Sequence, residues 1–264
     1  FKCVICDRAS YEAQHKLNDI LPTSIEKPFV SNLNPKYTFD TFVIGNSNRF
    51  AHAASLAVAD NKNVIYNPLF IWGNSGLGKT HLLSAIKSKI RENYPEKKIV
   101  YVTCENFINE VINAIHTGTT PQLREKYRTA DVLLVDDIQF IAGKELCEEE
   151  FFNTFNDLYN SHKQIVLTSD RPPKEFVSLS ERLVSRFEAG LIADIQPPEY
   201  ETRVGIIKRK AQLMNFNLSE DIVNYLAEQV KSNIRQLEGV VKKLQAYSLV
   251  YENISFLIRS TGIS

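Results

Sequence analysis

The stretch Leu69-Phe70-Ile71-Trp72-Gly73-Asn74-Ser75-Gly76-Leu77-Gly78-Lys79-Thr80-His81 decides the fold. Four apolar residues of strand character run into the pattern G-x-x-x-x-G-K-[ST]. Apolar residues at Leu82, Leu83, Ile86 and Ile90 then recur at helical spacing over His81–Glu92. A strand, a glycine-rich turn and a helix in that order make a cradle for phosphate. Glycines let the backbone curl so that its N–H groups point inward, and the helix N-terminus adds a favourable dipole. Gly73, Asn74, Ser75, Gly76, Leu77 and Gly78 would form the cradle, Lys79 would reach the β- and γ-phosphates of a nucleotide, and the Thr80 hydroxyl would ligate Mg²⁺.

The apolar runs around this stretch extend the pattern. Ile99–Thr103, Val132–Asp136, Gln164–Thr168 and Leu191–Ile195 are of strand length and almost continuously apolar, which means burial on both faces. Amphipathic stretches alternate with them, among them Glu105–His116 with Ile108, Val111, Ile112 and Ile115 at helical spacing. This alternation predicts an α/β fold, a P-loop parallel sheet between two helical layers. After Pro197-Pro198 the pattern is helical only: Thr202–Met214, Glu220–Val230, which Ser219 would N-cap, and Ile234–Tyr247. The expected division is 33–196 for an αβα core, 197–250 for a helical lid, 251–264 for a truncated tail and 1–32 for a linker or upstream remnant.

An apolar strand ending in acids is the second element a phosphate loop needs, and Val132-Leu133-Leu134-Val135-Asp136-Asp137 supplies it. Asp136 is placed to share the Mg²⁺ with Thr80, and Asp137 to orient or polarise an attacking water. The acids Glu148-Glu149-Glu150 read as a solvated helix face. Ser169-Asp170-Arg171 falls at the end of the next strand, beside a γ-phosphate. Arg182 and Arg186, four apart, share a face if their segment is helical. An arginine is the group wanted against the charge of a transferring phosphoryl, and a surface salt bridge is the commoner role of any one arginine. Arg235, near the start of the last helix, has the same two readings.

The 264 residues carry 31 Lys+Arg against 31 Asp+Glu, which excludes a uniformly basic nucleic-acid binder and an acidic disordered tail. The balance is uneven: residues 131–160 hold eight acids and one base, residues 200–250 eight bases and five acids. No apolar run approaches the ~18 residues of a membrane span. Four cysteines are too few for a disulfide scaffold and imply a reducing, cytoplasmic compartment. Cys3 and Cys6 make half a zinc motif with only His15 nearby, and read as incidental. A first residue of Phe1 leads to the expectation of a fragment of a longer protein.

Several blocks, in order, resemble one family. Tyr66-Asn67-Pro68-Leu69-Phe70-Ile71-Trp72-Gly73 running into Gly78-Lys79-Thr80-His81-Leu82-Leu83, then Val135-Asp136-Asp137-Ile138-Gln139-Phe140, are similar to the bacterial chromosomal replication initiators, the DnaA family. So are Ser169-Asp170-Arg171-Pro172-Pro173, Arg182-Leu183-Val184-Ser185-Arg186-Phe187 and Asn233-Ile234-Arg235-Gln236-Leu237-Glu238-Gly239. The resemblance implies the AAA+ fold, binding of ATP or ADP with Mg²⁺, slow ATP hydrolysis and an ATP-dependent filament on origin DNA. By matching motif, Lys79, Thr80, Asp136 and Asp137 are the Walker residues, with His81 in the same block. Asp170 lies in the sensor 1 block and Arg235 matches sensor 2. Arg186 matches the arginine finger that reaches a neighbouring subunit's ATP, with Arg182 a second interfacial arginine. Asn34–Arg49, containing Val43 and Ile44, resembles the segment that lies against the adenine.

Residues 105–130 correspond to the helical insertion of initiators and helicase loaders, which in the family contributes to a single-strand DNA channel. Ile112 occupies the position of an apolar channel contact, and its type equally suits a core-facing helix position. The partners implied are further copies of the chain, single-stranded origin DNA and the replicative helicase, with duplex origin boxes left to a domain outside these residues. Two other readings use the same motifs. A helicase-loader-type AAA+ ATPase would be expected to lack the Ser169–Pro173 block, and a nucleotide-switch regulator would bind without hydrolysing.

Overall fold

The computed structural model describes residues 36–60, 64, 66–231 and 233–249, all within one compact unit, Leu33–Ser264. The readings of residues 1–32, of Cys3 and Cys6 and of the tail 251–264 lie outside the described residues. Among those described, β1 (Leu69–Trp72), β2 (Ile99–Thr103), β3 (Val132–Asp136), β4 (Gln164–Ser169) and β5 (Leu191–Asp194) form one parallel sheet in the order β2-β3-β4-β1-β5. Trp72 pairs with both Ser169 and Asp194, and Thr103 pairs with Asp136. The register therefore brings the carboxyl ends of the strands to one edge, where ligands of open parallel sheets bind.

Continuous apolarity in the strands serves two separate cores. Phe70, Val102, Leu133, Val135, Ile165 and Leu167 face one cluster, and Leu69, Ile71, Tyr101, Leu134 and Val166 face the other. The second face is covered by α1 (Arg49–Asp60) and α2 (Lys79–Asn93), through Ala51, Val58, Leu82 and Ile86. The first is covered by α3 (Cys104–Thr117), α4 (Thr120–Arg128), α5 (Glu145–Asn160) and α6 (Glu181–Glu188). Phe151, Phe155 and Phe187 are fully buried there, with ring centroids of Phe155 and Phe187 6.2 Å apart. Truncating one such ring costs roughly 3–5 kcal/mol.

Two expectations are corrected here. The buried face of α3 is Phe107, Ile108, Val111 and Ala114, whereas Ile112 and Ile115 are 45% and 50% exposed. The core-facing reading of Ile112 is therefore wrong, because the aromatic ring of Phe107, packed on Tyr127 and Phe151, turns the helix away from it. Glu148 and Glu150 are buried rather than solvated. Glu148 accepts the backbone N–H groups of Gly143 and Ser180 at 2.9 and 3.0 Å, fixing the approach to α6. Glu150 accepts Arg124 and Arg128 of α4 at 2.9 and 2.7 Å, and Arg128 also donates to Asp157.

Beyond Pro198 three helices, α7 (Tyr200–Leu213), α8 (Glu220–Gln229) and α9 (Ile234–Ser248), close on a third core of Ile207, Leu226, Val241 and Leu244. Ser219 holds the N-cap position of α8, but its hydroxyl makes no capping bond. Arg203 anchors the unit from inside, donating to Pro198 O and Ala227 O, both at 2.7 Å. Arg209 reaches Asp40 O, within the 3₁₀ turn Phe39–Thr41, at 3.2 Å. No described helix is long and apolar enough to cross a membrane.

Candidate functional site

The loop Gly73–Gly78 leaves β1 between its two neighbours, with Gly73 N–H donating to Ser169 O of β4 at 3.2 Å. Gly78 then takes the N-cap position of α2 with φ +104°, a conformation that favours glycine. Gly76, at φ +79°, lies so close to Asn233 that a Cβ would strike that side chain's Oδ1. Asn233 caps α9 by accepting Arg235 N–H at 2.9 Å, so the loop glycine and the cap of the last helix fit each other. Leu77 points away from the loop into the core, 1% exposed.

Lys79 is 6% exposed, and its ammonium donates to Gly73 O and Asn74 O at 2.6 and 3.0 Å. Burial lowers its pKa, opposed by the charges of Asp137, Asp136 and Asp170. Thr80 Oγ1 donates to Asp136 Oδ2 at 2.7 Å. Burial pushes the Asp136 carboxyl above its usual range against hydrogen bonds from Thr168, Thr80 and Tyr101. Thr168, fully buried on β4, donates a short bond to Asp136 Oδ1 and accepts Asp137 N–H at 2.9 Å. One hydroxyl thus fixes both acids, and Asp137 is held at φ 56°. Gln139 bridges onward, donating to Asp137 Oδ1 at 3.2 Å and accepting Asp170 N–H at 3.3 Å. The Arg171 guanidinium grips the Asp170 carboxylate at 2.8 Å and holds its pKa low.

Two adjoining hollows open over this edge. One, about 440 Å³, is lined by Gly76, Lys79, Thr80, Asp137, Asp170 and Arg235. The other, about 350 Å³, lies between the core and the C-terminal helices and is walled by Phe42, Val43, Ile206 and Met214. His81 belongs to both. Its ring stacks on Tyr37 with centroids 4.5 Å apart, meets Phe42 edge-on at 5.1 Å and bonds to Thr38 O at 2.8 Å, while burial lowers its pKa. Arg235 crosses from α9 to Ser75 Oγ at 3.2 Å.

The fold thus gathers Lys79, Thr80, His81, Asp136, Asp137, Asp170, Arg235 and Val43 at one cleft. Ile44 is not among them: it is 49% exposed and lines a shallow outer depression with Arg49 and Glu199. Arg182 and Arg186 do share a helix, α6, but lie outside the cleft, their guanidinium groups over the rings of Phe152 and Tyr159 at 4.7 and 5.7 Å. Thr168, Gln139 and Tyr37 carry contacts that no motif spacing assigned to them.

The donor chemistry suits a nucleotide with a hard cation. A buried ammonium resting only on carbonyl oxygens is available for phosphate, and a hydroxyl paired with a carboxylate is the oxygen set that Mg²⁺ takes together with phosphate and water. Among the described residues no group of three or more His, Cys, Asp or Glu is placed to hold a metal ion.

A phosphate loop on β1, an acidic end on β3 and a helical unit over them, in this strand order, define a P-loop nucleotide-binding protein of the AAA+ fold. The bacterial DnaA ATPase domain family matches residues 33–194, and the chain belongs to that family. It is 59% identical over 225 residues to the chromosomal replication initiator protein DnaA of Caldanaerobacter subterraneus subsp. tengcongensis, covering 85% of this chain and 51% of that protein. The chain therefore spans about half the length of the curated relatives it matches. Domain III of the Thermotoga maritima replication initiation protein DnaA superposes with a TM-score of 0.81 at 43% identity, over 83% of this chain and 92% of that one. A replication initiator DnaA bound to AMPPCP and single-stranded DNA superposes at 0.76 with 39% identity, over 81% of this chain and 66% of that one.

Proposed function

We propose that the chain is the nucleotide-dependent assembly module of a replication initiator. It binds ATP or ADP with Mg²⁺ in the cleft, hydrolyses ATP slowly and, with ATP bound, assembles with further copies on single-stranded origin DNA in the cytoplasm. The observation that carries this reading is the contact of Thr80 with Asp136 at 2.7 Å beside the buried ammonium of Lys79. The relative bound to AMPPCP and single-stranded DNA supports the nucleotide and DNA parts of it.

In this reading the loop amides and Lys79 bind the β- and γ-phosphates, and Thr80 and Asp136 hold Mg²⁺. When bound, the ion would neutralise phosphate charge. Asp137, pinned by Thr168 and Gln139, orients the attacking water and Asp170 steadies the site's far edge. Arg235 brings the state of the phosphates to the C-terminal helices, which act as the lid over residues 197–250, and Val43 and His81 wall the base end. Arg186, through its match to the family's arginine finger, and Arg182 beside it would serve the cleft of a neighbouring copy; both lie outside their own cleft, over Tyr159 and Phe152, and a lone chain would lack part of the charge stabilisation. That is why turnover is slow. Ile112 and Ile115, exposed on α3, offer apolar contacts to DNA strung along the assembly. Contact with a replicative helicase and reading of duplex origin boxes are not assigned to these residues, which span about half the length of the curated relatives.

Calorimetric titration with ADP and ATP tests the cleft. The chain should bind both in the presence of Mg²⁺, and Lys79→Ala should weaken both by at least tenfold. Equal affinity of the two proteins would reject the site. Arg186→Ala should keep ATP affinity within about twofold while lowering single-turnover hydrolysis at high protein concentration.

A further inference from the structure

The two hollows of the cleft differ in chemistry. Lys79, Asp137 and Arg235 line only one of them, and the apolar side chains Phe42, Val43, Ile206 and Met214 only the other. A nucleotide must lay its phosphates in the first and its base in the second, so its sugar must cross the junction. The side chains common to both hollows are few, and among them Glu238 of α9 is the one with a carboxylate. It lies on the same helix face as Ile234, one turn beyond Arg235. A carboxylate beside an anionic ligand is unfavourable unless it is neutralised and given something to accept. Lys210 of α7 does the first, its ammonium 3.1 Å from Glu238 Oε1, with the two side chains only 17% and 24% exposed.

We propose that Glu238 accepts the hydroxyls of the nucleotide's ribose and so makes the cleft selective for ribonucleotides, with Lys210 holding the carboxylate in place. Two carboxylate oxygens offer about four lone-pair positions, and the contact to Lys210 uses few of them. Vicinal sugar hydroxyls are bidentate donors, and a carboxylate is the acceptor that recognises them where dinucleotide-binding folds read a ribose. Because Glu238 and Arg235 share one helix, the sugar and the terminal phosphates engage α9 together. This inference rests on the nucleotide reading of the cleft.

The test is binding of ADP and of 2′,3′-dideoxy-ADP to the 264-residue chain at fixed Mg²⁺, by calorimetry, for the parent protein, Glu238→Ala and Glu238→Gln. The parent should favour ADP by about tenfold, the order expected for hydrogen bonds to a charged group. In Glu238→Ala the ratio should fall to about one through loss of ADP affinity alone, dideoxy affinity staying within about twofold. Thermal unfolding without nucleotide checks the fold, and Glu238→Gln, which keeps the shape, should give an intermediate ratio. A parent that binds both nucleotides equally, or a Glu238→Ala variant that weakens both alike, would overturn the ribose assignment and leave nucleotide binding standing. A parent that binds neither would overturn the cleft's nucleotide reading itself.

Discussion

The smallest decisive feature is the Thr168 hydroxyl, which donates to Asp136 and accepts from the backbone of Asp137. Thr168→Val keeps the shape but leaves the half-buried Asp137 N–H without its hydroxyl acceptor and removes one of the bonds that oppose the raised Asp136 pKa. The variant should lose about 1–3 kcal/mol in urea unfolding and lose more affinity for Mg²⁺-nucleotide than for nucleotide alone. Unchanged Mg²⁺ dependence would show that Thr168 does not position the acids. His81 gives a second residue-scale outcome. Its folded pKa lies below the ordinary 6.5 because burial disfavours the imidazolium. The unfolded chain therefore takes up a proton before the folded chain does, so the stability His81 contributes is complete above pH 6.5 and is lost as pH falls below it. His81→Gln should flatten the fall in melting temperature between about pH 7 and 5. His52, whose pKa burial also lowers, should keep part of the slope.

At the scale of elements, the join between α4 and α5 depends on Glu150. Burial would raise its pKa, but hydrogen bonds from Arg124 and Arg128 outweigh that and hold it below the usual range. Glu150→Ala leaves two guanidinium groups short of an acceptor. It should cost about 2 kcal/mol, less than a fully buried pair because Arg124 is half exposed, as read from the urea midpoint. This join also shows what the sequence conveyed and what it withheld. β1, β2 and β3 fall on their expected residues because continuous apolar runs and the phosphate-loop pattern are local signals. α1 gave none: its buried face is largely Ala51, Ala54 and Ala59, too small to stand out by periodicity. The acids of α5 read as solvated because most of their partners, two arginines on α4 and the Ser180 N–H, are brought there only by the tertiary fold. Ile112 and Ile115 satisfied helical spacing, yet a helix buries a face of limited width, and Phe107 and Ala114 set where it lies. In the site, Lys79, Thr80, Asp136 and Asp137 were legible from motif spacing, whereas Thr168 acts because β4 lies beside β3. Ile44 follows Val43 in the same segment, but its side chain is half exposed and lines the outer depression rather than the two hollows of the cleft.

For the whole molecule, the proposed account joins a cleft built from one chain to arginines that face away from it. Loop, acids and lid would sense the nucleotide in cis, and α6 would present Arg182 and Arg186 to the next copy. The 31 Lys+Arg balance the 31 Asp+Glu, so on the proposed account strand binding would draw on residues that assembly aligns along the DNA backbone. Single-stranded DNA should therefore bind more tightly with ATP than with ADP, and lose affinity steeply as salt is raised. The most direct measurement is the mass of the chain by light scattering with saturating ATP or ADP, with and without single-stranded DNA. The account predicts a monomer with ADP, a multimer with ATP that DNA enlarges, and a monomer in both for Arg186→Ala. The same mass with both nucleotides, or ATP-dependent assembly undiminished in Arg186→Ala, would contradict it.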